Sequence, residues 1–187
     1  MSRSQPPFRF SLTIDAFTGD FQVLSFTGKE ALSTPYVFEL ELISERSDLD
    51  WVALLHTPAF LAYAAGDVGV HGHVYSIAQG DTHQRLTFYT LTLVPQLAYL
   101  EHRTNQRIFQ HLTVEQIIGQ LLAEHGISSN ACSFTLDTTY QARDYCVQYH
   151  ETDLHFIQRL CEEEGIHYHF RHSAQGHHLV FGDGQSA

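Results

Sequence analysis

The most constraining feature of this chain is the stretch Arg143–Phe170, RDYCVQYHETDLHFIQRLCEEEGIHYHF, where the hydrophobic period changes twice with almost no slack. Tyr145-Cys146-Val147-Gln148-Tyr149 alternates as a strand does. Thr152 and Asp153 then offer helix N-cap oxygens. Leu154, Ile157, Leu160 and Cys161 recur at helical spacing, with Phe156 set to meet Leu160 at i+4. Gly165 supplies the left-handed residue that stops the helix. Beyond it Ile166, Tyr168 and Phe170 fall on one strand face, and His167, His169 and Arg171 on the other. Elements joined this tightly make a packing unit, and nothing in it is arranged as a catalytic centre.

The residues before this stretch read mostly as strands. After the polar start MSRSQPP, a half-buried strand begins near Phe8, and Asp15–Gly19 is a turn. Strands follow at Gln22–Gly28 and at Tyr36–Leu42, where Glu39 and Glu41 face outward. Asp48–His56 predicts a short helix capped by an Asp and ended before Pro58. Ala59–Tyr63 and Val68–Ile77 are strands, the second interrupted by Gly72. Arg85–Pro95 is the strongest β run, and Leu97–His102 predicts a further strand. The character changes near Arg103. Thr113 with Gln116 forms a capping-box pattern, Leu112 and Ile117 a hydrophobic staple, and Ile117, Ile118, Leu121 and Leu122 the buried stripe of a helix ended by Gly126. Cys132–Leu136 and His178–Phe181 are the remaining strands.

These elements predict an α+β, mostly β fold: an antiparallel β-barrel over residues 1–102, followed by a smaller α+β barrel-like unit over 103–187. A chain of 187 residues is long enough to bury about 70% of its unfolded surface. Gly182–Ala187 offers no helix or strand to tie the end down, as expected of a piece cut from a longer chain.

Charge narrows the partners. Ten basic residues stand against 21 acidic ones, a formal charge of −11, and Lys29 is the only lysine. Such a chain is a poor nucleic-acid ligand and is repelled by anionic lipid. No apolar run approaches the ~20 residues of a membrane span, and the start has no signal-peptide core. Cys132, Cys146 and Cys161 lack any CxxC spacing, which favours reduced thiols packed as small hydrophobes.

Histidine is the loudest anomaly, at 14 residues. His71 with His73, and His167 with His169, are two apart on a strand, while His172, His177 and His178 cluster near the end. Alternate strand histidines hold zinc only when a third ligand converges, and no HExxH run accompanies them. They read more simply as solvent-facing histidines on polar strand faces. Glu162-Glu163-Glu164 with Asp153 reads as a solvated helix end, because consecutive helix positions point apart. Carboxylates there oppose the macrodipole, so Arg143, Arg159 or Arg171 is expected to offset them. Cys146 and His150 imitate a nucleophile and base, yet residues four apart on a strand lie ~13 Å apart. There is no GxSxG elbow, P-loop or GxGxxG. No catalytic, cofactor-binding or metal-binding residue is therefore assigned, and no cofactor is expected.

Several segments in register carry a family resemblance. They are Val23–Leu42 with its Gly28-Lys29-Glu30-Ala31-Leu32-Ser33 run and Pro35-Tyr36, Gly72-His73-Val74, Tyr89–Pro95, Arg107-Ile108-Phe109-Gln110, and above all Arg143–Phe170 with its QYHETDLHFIQRL core. Together they resemble the N-terminal part of the VgrG (valine–glycine repeat) spike proteins of type VI secretion systems, which is similar to bacteriophage tail hub proteins. The resemblance implies a structural protein and not an enzyme. It implies a homotrimer that caps a tube of stacked Hcp rings and forms the base of a membrane-puncturing needle in effector delivery. It further implies baseplate, effector or adaptor partners, cytoplasmic assembly followed by injection, and a target membrane met only through the needle. The later hub, the neck, the needle and the valine–glycine repeats of the family are not in this sequence. A histidine-ligated metallohydrolase is the runner-up reading, and a carbohydrate- or peptide-binding β-barrel the third.

Overall fold

The computed structural model describes residues 10–15, 17, 19–65 and 68–184. The predicted strand start at Phe8 and the residues beyond 184 lie outside them. The chain divides into two compact units. The first holds Met1–Lys29, Tyr36–Val94 and His172–His177, and the second Glu30–Pro35, Pro95–Arg171 and His178–Ala187.

The first unit is built on a six-stranded sheet from β1 (Ser11–Ile14), β2 (Gln22–Ala31), β3 (Thr34–Ser44), β4 (Pro58–Ala64), β5 (Val68–His83) and β6 (Leu86–Val94), in the order β1-β4-β5-β6-β3-β2. The pairs β1–β4, β4–β5, β5–β6 and β3–β6 are antiparallel. Tyr36, Phe38, Leu40 and Leu42 alternate with exposed residues along β3 and are buried, as their period of two requires. The sheet curls on itself: Phe26 of β2 stacks on Tyr63 of β4 at 5.8 Å and meets Phe10, just before β1, at 5.1 Å. Curling leaves the barrel open between its edge strands, where β1 and β2 line a groove of about 560 Å³. Gly69 is needed for this packing, because a Cβ there would lie 2.1 Å from the Leu61 carbonyl oxygen. Within Asp48–His56 the helix is one turn, α1 (Trp51–Leu54), capped by Asp50.

The second unit packs α2 (Val114–Glu124) and α3 (Asp153–Glu164) against a ribbon of β7 (Thr104–Leu112) and β9 (Arg143–Thr152). Beside them lies a three-stranded sheet, β10 (His167–Ser173), β11 (Gly176–Gly182) and β8 (Cys132–Thr135), with β8 parallel to β11. The capping box of Thr113 and Gln116 forms, and Ile117, Ile118, Leu121 and Leu122 are buried. Thr152, not Asp153, caps α3 by accepting the His155 N–H at 3.1 Å. Gly165 ends α3 at φ 71°, a region where a Cβ is strained. Tyr168 of β10 is fully buried, and its carbonyl accepts the Ser33 N–H at 2.8 Å.

Two expectations fail here, and one strand is not predicted by the sequence. Leu97–His102 is not a strand but lies in a 3-10 helix, Gln96–His102, because Leu97 and Leu100 bury themselves at the three-residue period of that helix. Strand β7 has no hydrophobic alternation to announce it: its inward side carries Arg107 beside Phe109, and Ile108 points outward. Gly72 also fails to interrupt β5, which runs unbroken through it.

Leu160 is fully buried on α3, whereas Glu163 sits at its exposed end. Leu160→Ala is expected to cost ~2–5 kcal/mol through lost burial and a cavity. Glu163→Ala is expected to cost less than ~1 kcal/mol, the worth of exposed ion pairs. Denaturant midpoints of the two variants check this, and equal losses would show the buried face to be misassigned.

Candidate functional site

Three clusters of side chains stand out. The first centres on Asp153, which is 0% exposed and is not the solvated carboxylate that the sequence reading expected. Its Oδ1 accepts Gln148 Nε2–H at 2.7 Å, and its Oδ2 pairs with Arg103 and lies 2.7 Å from His125 Nε2. Its own N–H donates to the Arg103 carbonyl at 2.9 Å. Arg103 and Arg107 extend the network to Glu124, at 2.6 and 2.9 Å. Burial alone drives the Asp153 pKa up, but the hydrogen bonds from Gln148, His125 and Arg103 outweigh it and hold the carboxyl below its ordinary value. A carboxylate beside a histidine suggests a catalytic dyad. Here both oxygens are occupied and sealed from solvent, so the group orients its neighbours. Arg103, His125 and Gln148 carried no local signal in the sequence, because their partner lies 50, 28 and 5 residues away.

The Glu162–Glu164 run is offset as expected by Arg143, 2.9 Å from Glu163 and 2.5 Å from Glu164, and by Arg159, 2.7 Å from Glu163. Cys146 is buried against Phe109 across the ribbon and Cys161 lies in the same core, its thiol pushed up to about 12 by burial. Neither is a nucleophile, and the described cysteines are free thiols.

The second cluster corrects the histidine reading. His71 is only 7% exposed, and the rings of His71, His73, His172 and His177 gather in the first unit instead of facing solvent. His167 and His169 stay half-exposed on the outer face of β10, as expected. Among the described residues, no three His, Cys, Asp or Glu side chains are arranged to hold a metal ion.

The third is the outward face of the β7–β9 ribbon. Gln106, Ile108 and Gln110 of β7 stand opposite Tyr149, Val147 and Tyr145 of β9. Tyr145 and Tyr149 are each 70% exposed and Ile108 63%. All six side chains are uncharged, on a chain with a formal charge of −11. The free edge of β9 is blocked, since Arg159 donates to the Val147 carbonyl at 3.1 Å and His150 adopts a left-handed φ of 51° at a bulge.

Residues 29–187 match the phage tail baseplate hub (GPD) family. The chain belongs to that family. It is 63% identical over 95% of its length to the type VI secretion system spike protein VgrG4b of Pseudomonas aeruginosa, and 60% identical over 95% to VgrG5 of the same organism. It spans only 22% and 23% of those two proteins. Its fold superposes with a TM-score of 0.90, at 30% identity, on the E. coli c3393 protein, covering 94% of this chain and 50% of that one. That protein is a component of the type VI secretion system with structural similarity to the T4 bacteriophage tail proteins gp27 and gp5. The family is one of structural hub components, and this hub segment is not an enzyme. Its α+β, mostly β fold and its similarity to the VgrG spike proteins are as the sequence implied.

Removing the Asp153 carboxylate takes a partner from the His125 imidazole, the Gln148 amide and the Arg103 guanidinium, the last of which keeps only Glu124. Asp153→Ala is expected to cost ~3–5 kcal/mol, as for one broken partner of a buried ion pair. Because its folded pKa lies below the ordinary 3.8, its contribution is complete above that value and disappears as the pH falls below it. Acid melts of the wild type and of Asp153→Ala check the sign: the wild type loses its advantage only in that acid range.

Proposed function

We propose that this chain is the hub segment of a type VI secretion spike, with residues 1–102 and 103–187 as its two hub domains. In this reading the spike is a homotrimer that caps a tube of stacked Hcp rings and forms the base of a membrane-puncturing needle in effector delivery. It assembles in the cytoplasm with baseplate and effector or adaptor partners and is then injected. The observation that carries the reading is the identity of 63% and 60% to two spike proteins across nearly the whole chain. The Asp153 network adds support, because a buried ion-pair node that rigidifies a unit suits a part under mechanical load.

The outward face of the β7–β9 ribbon is where we place a contact between subunits. Exposed Tyr pairs with apolar neighbours are the composition of interface cores. Three acidic copies repel one another least where they present uncharged surface, although salt limits that repulsion to ~8 Å.

Purified Hcp rings immobilised on a resin are expected to retain the chain. Failure to retain it at micromolar concentration would overturn the capping role. Because the segment is 22% of the VgrG4b relative's length, it is expected to be a monomer or a weak oligomer on its own, dissociating in light scattering across a hundredfold dilution. Tyr149→Glu, which places a charge on the ribbon, is expected to weaken any such association by at least ~10-fold.

A further inference from the structure

The histidine cluster of the first unit has no part in that reading, and its geometry is unusual for a protein core. His71 and His73 are two apart on β5 and share a face. The hairpin of β10 and β11 contributes His172 and His177 from the segment His172–His177, which belongs to the same unit. The Nδ1 atoms of His71 and His177 lie 3.0 Å apart. The His177 ring is 5.2 Å from that of His71 and 5.7 Å from that of His73, and His172 sits edge-on to Tyr36 at 4.9 Å. The Tyr36 hydroxyl donates to the His71 carbonyl at 2.5 Å.

We propose that the hairpin tip His172–His177 is an acid-released latch, seated on β5 by neutral imidazoles and freed when two of them take up protons. The contact between His71 and His177 needs one nitrogen to donate and the other to accept. A first proton leaves that possible, since an imidazolium still donates to a neutral ring. A second proton leaves two N–H groups facing each other at 3.0 Å with no acceptor between them.

The surrounding charges do not rescue the doubly protonated state. His73 faces His56, at the end of the α1 turn, which opposes its charging. His172 opposes the charging of both His71 and His177. From the turn after β1, Asp15 favours the charging of His71 and His73, and one carboxylate can offset one imidazolium but not two. Burial, followed by the neighbouring histidines, holds His71 near 4 and His177 near 3, and burial also lowers His73, against the ordinary 6.5. An opened tip regains the ordinary value, so opening takes up protons below 6.5. The equilibrium therefore moves toward the open form as the pH falls from there toward the closed-form values.

Hydrogen exchange read by mass spectrometry, corrected for the intrinsic pH dependence of exchange, tests this from about pH 7.5 to about pH 4.5. Protection of residues 172–177 is expected to fall before that of β4–β6, by ~10-fold per pH unit for each proton taken up, and so by up to ~100-fold per pH unit. In His177→Gln and in His71→Gln the slope is expected to drop to that of one proton. Tip protection that persists until the whole unit exchanges, or slopes unchanged in both variants, would refute the latch. Should either variant fail to fold, ring resonances of the wild type decide. Joint titration of His71 and His177 well below 6.5 while the tip opens supports it. Independent titration near 6.5 with the tip still protected rules it out.

Discussion

The second unit depends on one buried carboxylate. Asp153 stands where four elements meet: Arg103 leads into β7, Gln148 lies on β9, His125 closes α2, and Asp153 itself opens α3. An unpaired charge at a fully buried position would cost several kcal/mol, so these elements must arrive together in one arrangement. That requirement explains why the tightly joined strand–helix–strand stretch cannot be rearranged piece by piece. The remaining core of the unit, with Phe156, Ile157, Leu160 and Tyr168 all fully buried, supplies the bulk stabilisation but is less particular about geometry.

Apart from this node, the feature of the second unit that stands out is a surface. Tyr36, Tyr89 and Tyr168 are buried almost completely, while Tyr145 and Tyr149 are left 70% exposed on one face beside Val147 and Ile108. Other aromatics such as Phe10, Tyr75 and Phe88 are about 40% exposed, so these two tyrosines are the most exposed large hydrophobic rings among the described residues. The blocked edge of β9 suits such a face, because an open edge beside it would invite indiscriminate strand pairing.

What was legible in the sequence was whatever depends on neighbours a few residues apart. Capping at Thr113 and Thr152, the stop at Gly165, the buried stripes of α2 and α3 and the alternation of β3 all follow from local sterics and period, and all are present. The pairing of Arg143 and Arg159 with the Glu162–Glu164 end belongs to the same class, since a helix terminus announces the charge it lacks. The family resemblance was readable for a related reason: spacing and order along the chain are linear properties.

Other features waited for the tertiary structure because they depend on groups far apart in sequence. Asp153 reads locally as one more carboxylate near a helix start, and only its convergence with Arg103, 50 residues earlier, makes it a buried node. His71 and His177 are 106 residues apart, so nothing along the chain reveals that alternate histidines on a strand face a hairpin tip instead of water. Strand β7 was hidden because its inward Arg107 is satisfied by Glu124, a long-range partner that lets a charged residue take a core-side position. The sequence by itself determined the local elements, the mostly β class and the family, through short-range sterics and hydrophobic period. Only the tertiary structure decided which polar groups are buried and which aromatics stay outside, because desolvation depends on everything that packs around a group.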